Sequence, residues 1–145
     1  ILDEQKRTHP IDELTEVCSV EELLALQTSV REIYVDPAVS DYIVRLVAST
    51  RSHPDVYLGA SPRGSIALYR SSQALAGLLG RDYVIPDDVK ALAEPALAHR
   101  VIIKTSSSIH DVSAAHVVRE QVEATPIEAA RQASGPREVR PSPAG

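Results

Sequence analysis

The residues best suited to chemistry in this sequence lie in the run Gly59-Ala60-Ser61-Pro62-Arg63-Gly64. Ser61 is a capping residue and Pro62 fits the first helical position. Arg63 then falls second in a helix carried by Ile66, Leu68, Tyr69, Leu75, Leu78 and Leu79. A helix start carries about half a positive charge and several unpaired N–H groups, so a cation there is disfavoured by a few tenths to about 1 kcal/mol. Other helix starts in the chain carry acids, Glu21 and Glu22 in one and Asp87 and Asp88 in another. An arginine held beside free amides suits an anion, and phosphate fits it best. The alternative is a solvated surface arginine, or one paired with Asp55 or Asp87.

The rest of a phosphate site is missing. The sequence contains no G-x-x-x-x-G-K-[ST] loop, no G-x-G-x-x-G, and no apolar run ending in paired acids. An anion at Arg63 must therefore be held mostly by another segment or chain. The histidines His9, His53, His99, His110 and His116 form no i, i+4 pair and no H-E-x-x-H, so the spacing supports no metal site. His9 and His53 precede prolines and His99 closes a helical run, so each reads as a helix terminator whose charge suits a C-terminus. Ser65, Ser71 and Ser72 have no His and acid partner at a spacing that suggests a nucleophile, and Cys18 is a lone cysteine.

The elements that must position Arg63 follow from caps and periodicity. Ser19-Val20-Glu21-Glu22 is a capping box that opens a helix to about Arg31. Asp36-Pro37 opens a second, with Val39, Tyr42, Ile43, Leu46 and Val47 on one face, ended by His53-Pro54. The helix of Arg63 is the third and stops at Gly80. Pro86-Asp87-Asp88-Val89 opens a fourth through Leu92 and Leu97 to about His99. Ile85 occupies its cap position, at an expected cost of about 1 kcal/mol that the two aspartates partly offset. Residues 33–35 and 81–85 read as extended, 56–60 as an apolar connection, and 101–103 as a strand or the helix's apolar exit. Residues 1–7 read as the end of a short amphipathic helix, which suggests a preceding segment. Ile11, Leu14 and Val17 are the apolar anchors of a linker over 10–18. Thr105–Ser108 is a polar spacer, 111–124 one more helix, and 126–145, rich in Pro, Ser, Gly and Ala, a disordered tail.

Composition agrees with an all-α fold. The 145 residues include no Phe, Trp or Met and five Tyr, so the core must be built from Leu, Ile, Val and Ala, which suits packed helices. The net charge of −5 argues against nucleic acid as a partner. A DNA-recognition role for residues 86–103 would turn Asp87, Asp88 and Glu94 toward a polyanion. No run of about 20 apolar residues offers a membrane span, and no signal peptide is visible.

Several short runs, in order, carry a resemblance. Gln5 to Pro10, Val35-Asp36-Pro37, Tyr42-Ile43, Thr50-Arg51, Leu58 to Arg63, Gly80 to Val84, Pro86 to Val89 and Ala98-His99-Arg100 resemble the C-terminal part of the MoxR family of AAA+ ATPases. The resemblance covers about residues 1 to 103. It implies that 1–18 are the end of the α/β core's last helix plus a linker, that 19–103 are the small helical lid, and that 104–145 are a spacer, a helix and a tail. It places Arg63 at the family's sensor 2 position, reaching the γ-phosphate of ATP, with Ser61 and Pro62 beside the nucleotide. ATP and Mg2+ would be held by a core domain this chain lacks, so the chain alone is expected to be inactive. The resemblance further implies a cytoplasmic ring, a hexamer, with chaperone-like maturation of other proteins and von Willebrand A domain partners. Gly64, often Ala in the family, weakens the helix start slightly. Ile85 replaces the family's usual capping Thr. The competing reading is a free-standing helical interaction module with no nucleotide role.

Overall fold

The longer helices form where apolar residues recur at three-and-four spacing, some behind a capping side chain and some without one. The computed structural model describes residues 14–109 and 111–127. The first helix, α1, spans Val20–Glu32. Its capping box is complete: the Glu22 N–H donates to Ser19 Oγ at 3.1 Å and the Ser19 N–H donates to Glu22 Oε2 at 2.7 Å. The Ser19 amide holds the Glu22 carboxyl below its ordinary value. α1 buries none of its residues, and Leu23, Leu24 and Leu26 are exposed. Leu14 and Val17, expected to anchor the preceding linker, are exposed too, Val17 at 99%. Among the described residues, those up to Glu32 form one compact unit and those from Ile33 another.

The second unit holds the core. α2 (Pro37–Ser49) starts at Asp36, whose Oδ1 accepts from the Ala38 N–H at 2.8 Å, and it buries Val39, Tyr42, Ile43, Leu46 and Val47. These are the five residues on the face expected from the sequence. α3 (Pro62–Leu78) packs against α2 and against α4 (Pro86–Leu97), and α4 packs against α6 (Ala114–Ala124). α3 ends in a Schellman turn. Gly80 takes φ 71°, the Arg81 N–H donates to Ala76 C=O at 2.9 Å, and the Gly80 N–H donates to Gly77 C=O at 3.0 Å.

The extended pieces are short. β1 (Val56–Leu58) and β2 (Ile102–Ile103) pair antiparallel, Val56 opposite Ile103 and Leu58 opposite Ile102. Residues 56–58 are thus a strand rather than only a connection, and 102–103 take the strand alternative. Tyr34 and Tyr83 form a parallel bridge, with the Val84 N–H donating to Tyr34 C=O at 2.9 Å. The buried Gln73 of α3 donates from Nε2 to Ile33 C=O at 2.7 Å and ties this segment to the core. The fold is all-α with this small sheet attached.

Two expectations change. The α4 start lacks a capping side chain at Ile85, but Asp88 supplies the other half of a capping box: its Oδ2 accepts from the Ile85 N–H at 2.9 Å. Asp88 is buried and also takes both Nη groups of Arg81, at 2.9 and 2.6 Å. It is a structural node, not merely a charge near a dipole. The second change concerns residues past 103. α5 (Thr105–Ser108) and α6 continue the same unit, and Val117 and Val118 are fully buried. By packing, the described residues up to Glu32 and those from Ile33 form separate units, and the buried core of the second extends beyond 103. The expected helix over 1–7, His9, Pro10, Ile11, His110 and the tail from 128 lie outside the described residues. Among the described residues no helix is long and apolar enough to cross a membrane.

Two predictions follow from this packing. Leu97, fully buried, should cost about 2–5 kcal/mol when changed to Ala, whereas Leu24→Ala on α1 should stay within about 0.5 kcal/mol, both read by urea unfolding. Burial raises the Asp88 carboxyl, but the Arg81 hydrogen bonds, the Ile85 amide and the Arg81 charge outweigh it and leave the group below its ordinary value. Its stabilisation is therefore complete above an ordinary carboxylate value of about 3.9 and is lost as pH falls through the lower folded value. Asp88→Asn should lower stability at neutral pH and flatten the acid limb below about pH 4, measured by denaturation at stepped pH; an acid limb as steep as the parent's would contradict this.

Candidate functional site

The loop before α3 is fixed by the end of α2. Thr50 follows the last residue of α2 and is fully buried, and its hydroxyl donates to Val47 C=O at 2.7 Å. The same oxygen accepts from the Ala60 N–H at 3.0 Å. The next residue, Arg51, donates from Nη1 to Ala60 C=O at 2.9 Å. Both polar backbone groups of buried Ala60 are therefore held by two consecutive residues. Gly59 is required by close approach: a Cβ there would lie 2.7 Å from the Arg51 backbone N and Cα.

Beyond Ala60 the chain enters α3 as the sequence suggests. Ser61 takes an extended conformation at the N-cap, Pro62 is the first helical residue, and Arg63 the second. The Gly64 N–H donates to Ser61 C=O at 2.7 Å. The Ser61 hydroxyl, however, makes no capping hydrogen bond, and no acid stands in the first turn. α1 and α4 begin with acids, α2 begins with Asp36, and α6 begins with Ser113, whose hydroxyl accepts from the His116 N–H at 3.1 Å. Among the described helices of eight residues or more, α3 alone starts with neither an acid nor a hydroxyl cap.

Arg63 is exposed and forms no ion pair or hydrogen bond among the described residues. The two acids considered as its partners are engaged elsewhere. Asp55 Oδ1 accepts from the Ser107 hydroxyl at 2.6 Å, and Asp87 pairs with Lys90 at 3.1 Å. A guanidinium without a carboxylate, beside an uncapped helix start, leaves donors and positive potential directed at solvent. That donor set fits a phosphate. It does not fit a metal ion, and no group of three or more His, Cys, Asp or Glu side chains suited to a metal occurs among the described residues.

Gly64 has a packing role that sequence could not reveal. It is buried, and a Cβ on it would lie 3.1 Å from Leu97 Cδ2, 3.4 Å from Ala60 Cβ and 3.7 Å from Val47 Cγ1. The start of α3 sits tightly on the ends of α4 and α2, so the glycine does more than weaken the helix. Thr50 and Arg51 carried no local signal of a role, because their partner lies nine or ten residues away across a strand. His53, read as a helix terminator, also has tertiary partners. It is buried, and its Nδ1 accepts from the Asp55 N–H at 3.2 Å. The remaining proton then sits on Nε2, which faces Glu120 Oε2 of α6 at 3.3 Å. His99 is exposed at the end of the α4 run, as expected of a terminator.

Comparison with known proteins bears on this geometry. Residues 48–121 match the AAA lid domain family. The chain is 41% identical over 133 residues to the protein YeaC of Bacillus subtilis, covering 92% of this chain and 42% of that protein. It is 34% identical over 107 residues to the chaperone MoxR1 of Mycobacterium tuberculosis, covering 68% of this chain and 28% of that protein. The chain belongs to the MoxR family of AAA+ proteins, as its lid region. A crystal structure of a candidate ATPase from Cytophaga hutchinsonii superposes on the lid with a TM-score of 0.73 at 25% identity, covering 75% of this chain and 36% of the other. The MoxR lid thus spans well under half the length of each of these relatives. The matched region runs into α6, in keeping with the burial of Val117 and Val118. As an AAA+ lid, the region belongs to a nucleotide-binding family.

The contact at Gly64 gives a stability test. Gly64→Val in the lid should cost about 1–3 kcal/mol by urea unfolding, because a Cβ alone already lies 3.1 Å from Leu97 Cδ2 and a branched side chain adds volume at that contact. A neutral result would mean that the junction of α2, α3 and α4 is looser than these distances state.

Proposed function

We propose that this chain is the lid of an ATP-driven, chaperone-like machine, in which Arg63 acts as sensor 2 and contacts the γ-phosphate of ATP held on an adjoining α/β core. The observation that carries the reading is the state of Arg63: exposed, without an ion pair among the described residues, at a helix start with neither acid nor hydroxyl cap. Ser61 and Pro62 lie beside the nucleotide in this reading, and the free amides of the first turn face the same oxygens. Mg2+ would be held by the core with the phosphates and would supply charge neutralisation there, a role none of the described residues takes.

The mechanism is transmission. With ATP present, the γ-phosphate attracts Arg63 and the lid closes on the core. After hydrolysis that attraction weakens and the lid is free to rotate. The α2–α3–α4 junction is closely packed, so the second unit can turn as one body and pass motion to a neighbouring subunit. We place the machine in the cytoplasm as a ring, a hexamer, that remodels or matures client proteins with von Willebrand A domain partners. The support is the MoxR kinship and, for the chaperone role, the naming of the Mycobacterium tuberculosis relative.

The test is Arg63→Ala in the protein that joins this lid to its core. Loss of a charged hydrogen bond of about 1.5–3 kcal/mol should slow ATP turnover roughly tenfold to a hundredfold. The lid alone should show weak or undetectable ATP binding by calorimetry. Undiminished turnover in the Arg63→Ala protein would remove the sensor role.

A further inference from the structure

We infer that Thr50 and Arg51 are positioning residues for Arg63. They clamp both backbone polar groups of Ala60, and so fix the point from which the Arg63 guanidinium reaches out. The inference rests on the reading of Arg63 as the phosphate-contacting group and extends it to residues that touch no nucleotide.

Three observations converge on the clamp. The Ala60 N–H is held by Thr50 Oγ1 at 3.0 Å and its C=O by Arg51 Nη1 at 2.9 Å. The Thr50 hydroxyl is itself oriented, because it donates to Val47 C=O at 2.7 Å, which leaves its lone pairs for the Ala60 amide. Gly59 lets the loop lie directly on the Arg51 backbone, where any Cβ would meet atoms at 2.7 Å. Two residues separate the clamp from Arg63. Ser61 is extended, and Pro62 has its φ set by its ring. Little backbone freedom is left between Ala60 and the arginine. On the far side, Gly64 is held against Leu97 and Val47. The arginine thus springs from a short segment restrained at both ends, while its own side chain is without partners among the described residues.

The chemistry explains the need. A long side chain amplifies any tilt at its base, and a misplacement of about 1 Å at a reacting group can cost about a hundredfold in rate. Arg51 is exposed, so its guanidinium bond to a carbonyl is not required to satisfy its own charge. Its direct effect is to fix the Ala60 carbonyl, and with it the direction in which α3 begins.

The experiment uses the lid joined to its nucleotide-binding core. Arg51→Met keeps the aliphatic stem and removes the bond to Ala60. Thr50→Val keeps the shape and removes the acceptor, while Thr50→Ser restores it. The readouts are ATP turnover and the affinities for fluorescent ATP and ADP analogues, with thermal unfolding as the control for folding. Arg51→Met and Thr50→Val should each slow turnover by about tenfold or more and weaken the ATP analogue far more than the ADP analogue. Thr50→Ser should retain both properties. In an Arg63→Ala background, Arg51→Met should cause no further loss of ATP over ADP preference. Equal weakening of the two analogues, or a further loss in the Arg63→Ala background, would make the clamp a general support of the fold and overturn the inference. If Arg63→Ala alone impairs the protein but Arg51→Met and Thr50→Val do not, the clamp fails while the phosphate reading stands. If Arg63→Ala has no effect, both fall.

Discussion

Ala60 has its N–H on Thr50, its C=O on Arg51, and its methyl group beside Gly64. Much of the second unit depends on this point. It is where the end of α2, the strand β1 and the start of α3 meet, and the side chains of Val47 and Leu97 lie against neighbouring Gly64. The constraint is steric as much as polar. A Cβ at Gly59 would collide with the Arg51 backbone, and one at Gly64 would press on Leu97, so glycine on both sides lets the chain around Ala60 pack closely. A buried amide and carbonyl with assigned partners leave the backbone no cheaper arrangement, since an unpaired buried group costs about 1–3 kcal/mol.

The same molecule shows two fates for an arginine near a helix start. Arg81 reaches Asp88 with both Nη groups, and the carboxylate in turn accepts the Ile85 amide, so the charges are neutralised inside the fold. The aspartate completes what an apolar cap residue could not supply. Arg63 has no such acid among the described residues, and its helix start has no side-chain cap. The first arrangement consumes its electrostatic potential in stability. The second leaves it available at the surface, which is the property a phosphate-contacting residue needs.

α6 joins the core through Val117 and Val118 and meets the end of α2 through His53 and Glu120. The His53 ring accepts the Asp55 amide at one nitrogen and offers the other to the helix, while the Asp55 carboxylate takes the Ser107 hydroxyl. Residues just after α2 thus bind α5 and α6 on one side while Thr50 and Arg51 bind the α3 loop on the other. This arrangement gives the second unit its continuity from Ile33 through α6. The capping box of α1 makes a good helix start without giving its leucines a buried face.

Local signals in the sequence determined the longer helices and, closely, where they begin, but not α5, which forms where the sequence reads as a polar spacer. Asp36-Pro37, Ser61-Pro62 and Gly80 act through their own backbone and their immediate neighbours, and the apolar spacing of α2 named its buried face residue by residue. The placement of Arg63 at the second position of α3 was legible for the same reason. Its kinship was legible too, because short runs in a fixed order survive where no single run is specific. Tertiary structure alone decided which side chains act on that arginine's surroundings. Thr50 and Arg51 bond across nine or ten residues, Gly64 is tight only because Leu97 arrives from α4, and Asp88 becomes a node only when Arg81 turns onto it. Such contacts depend on how elements meet in space, and no local pattern of residue types encodes that meeting.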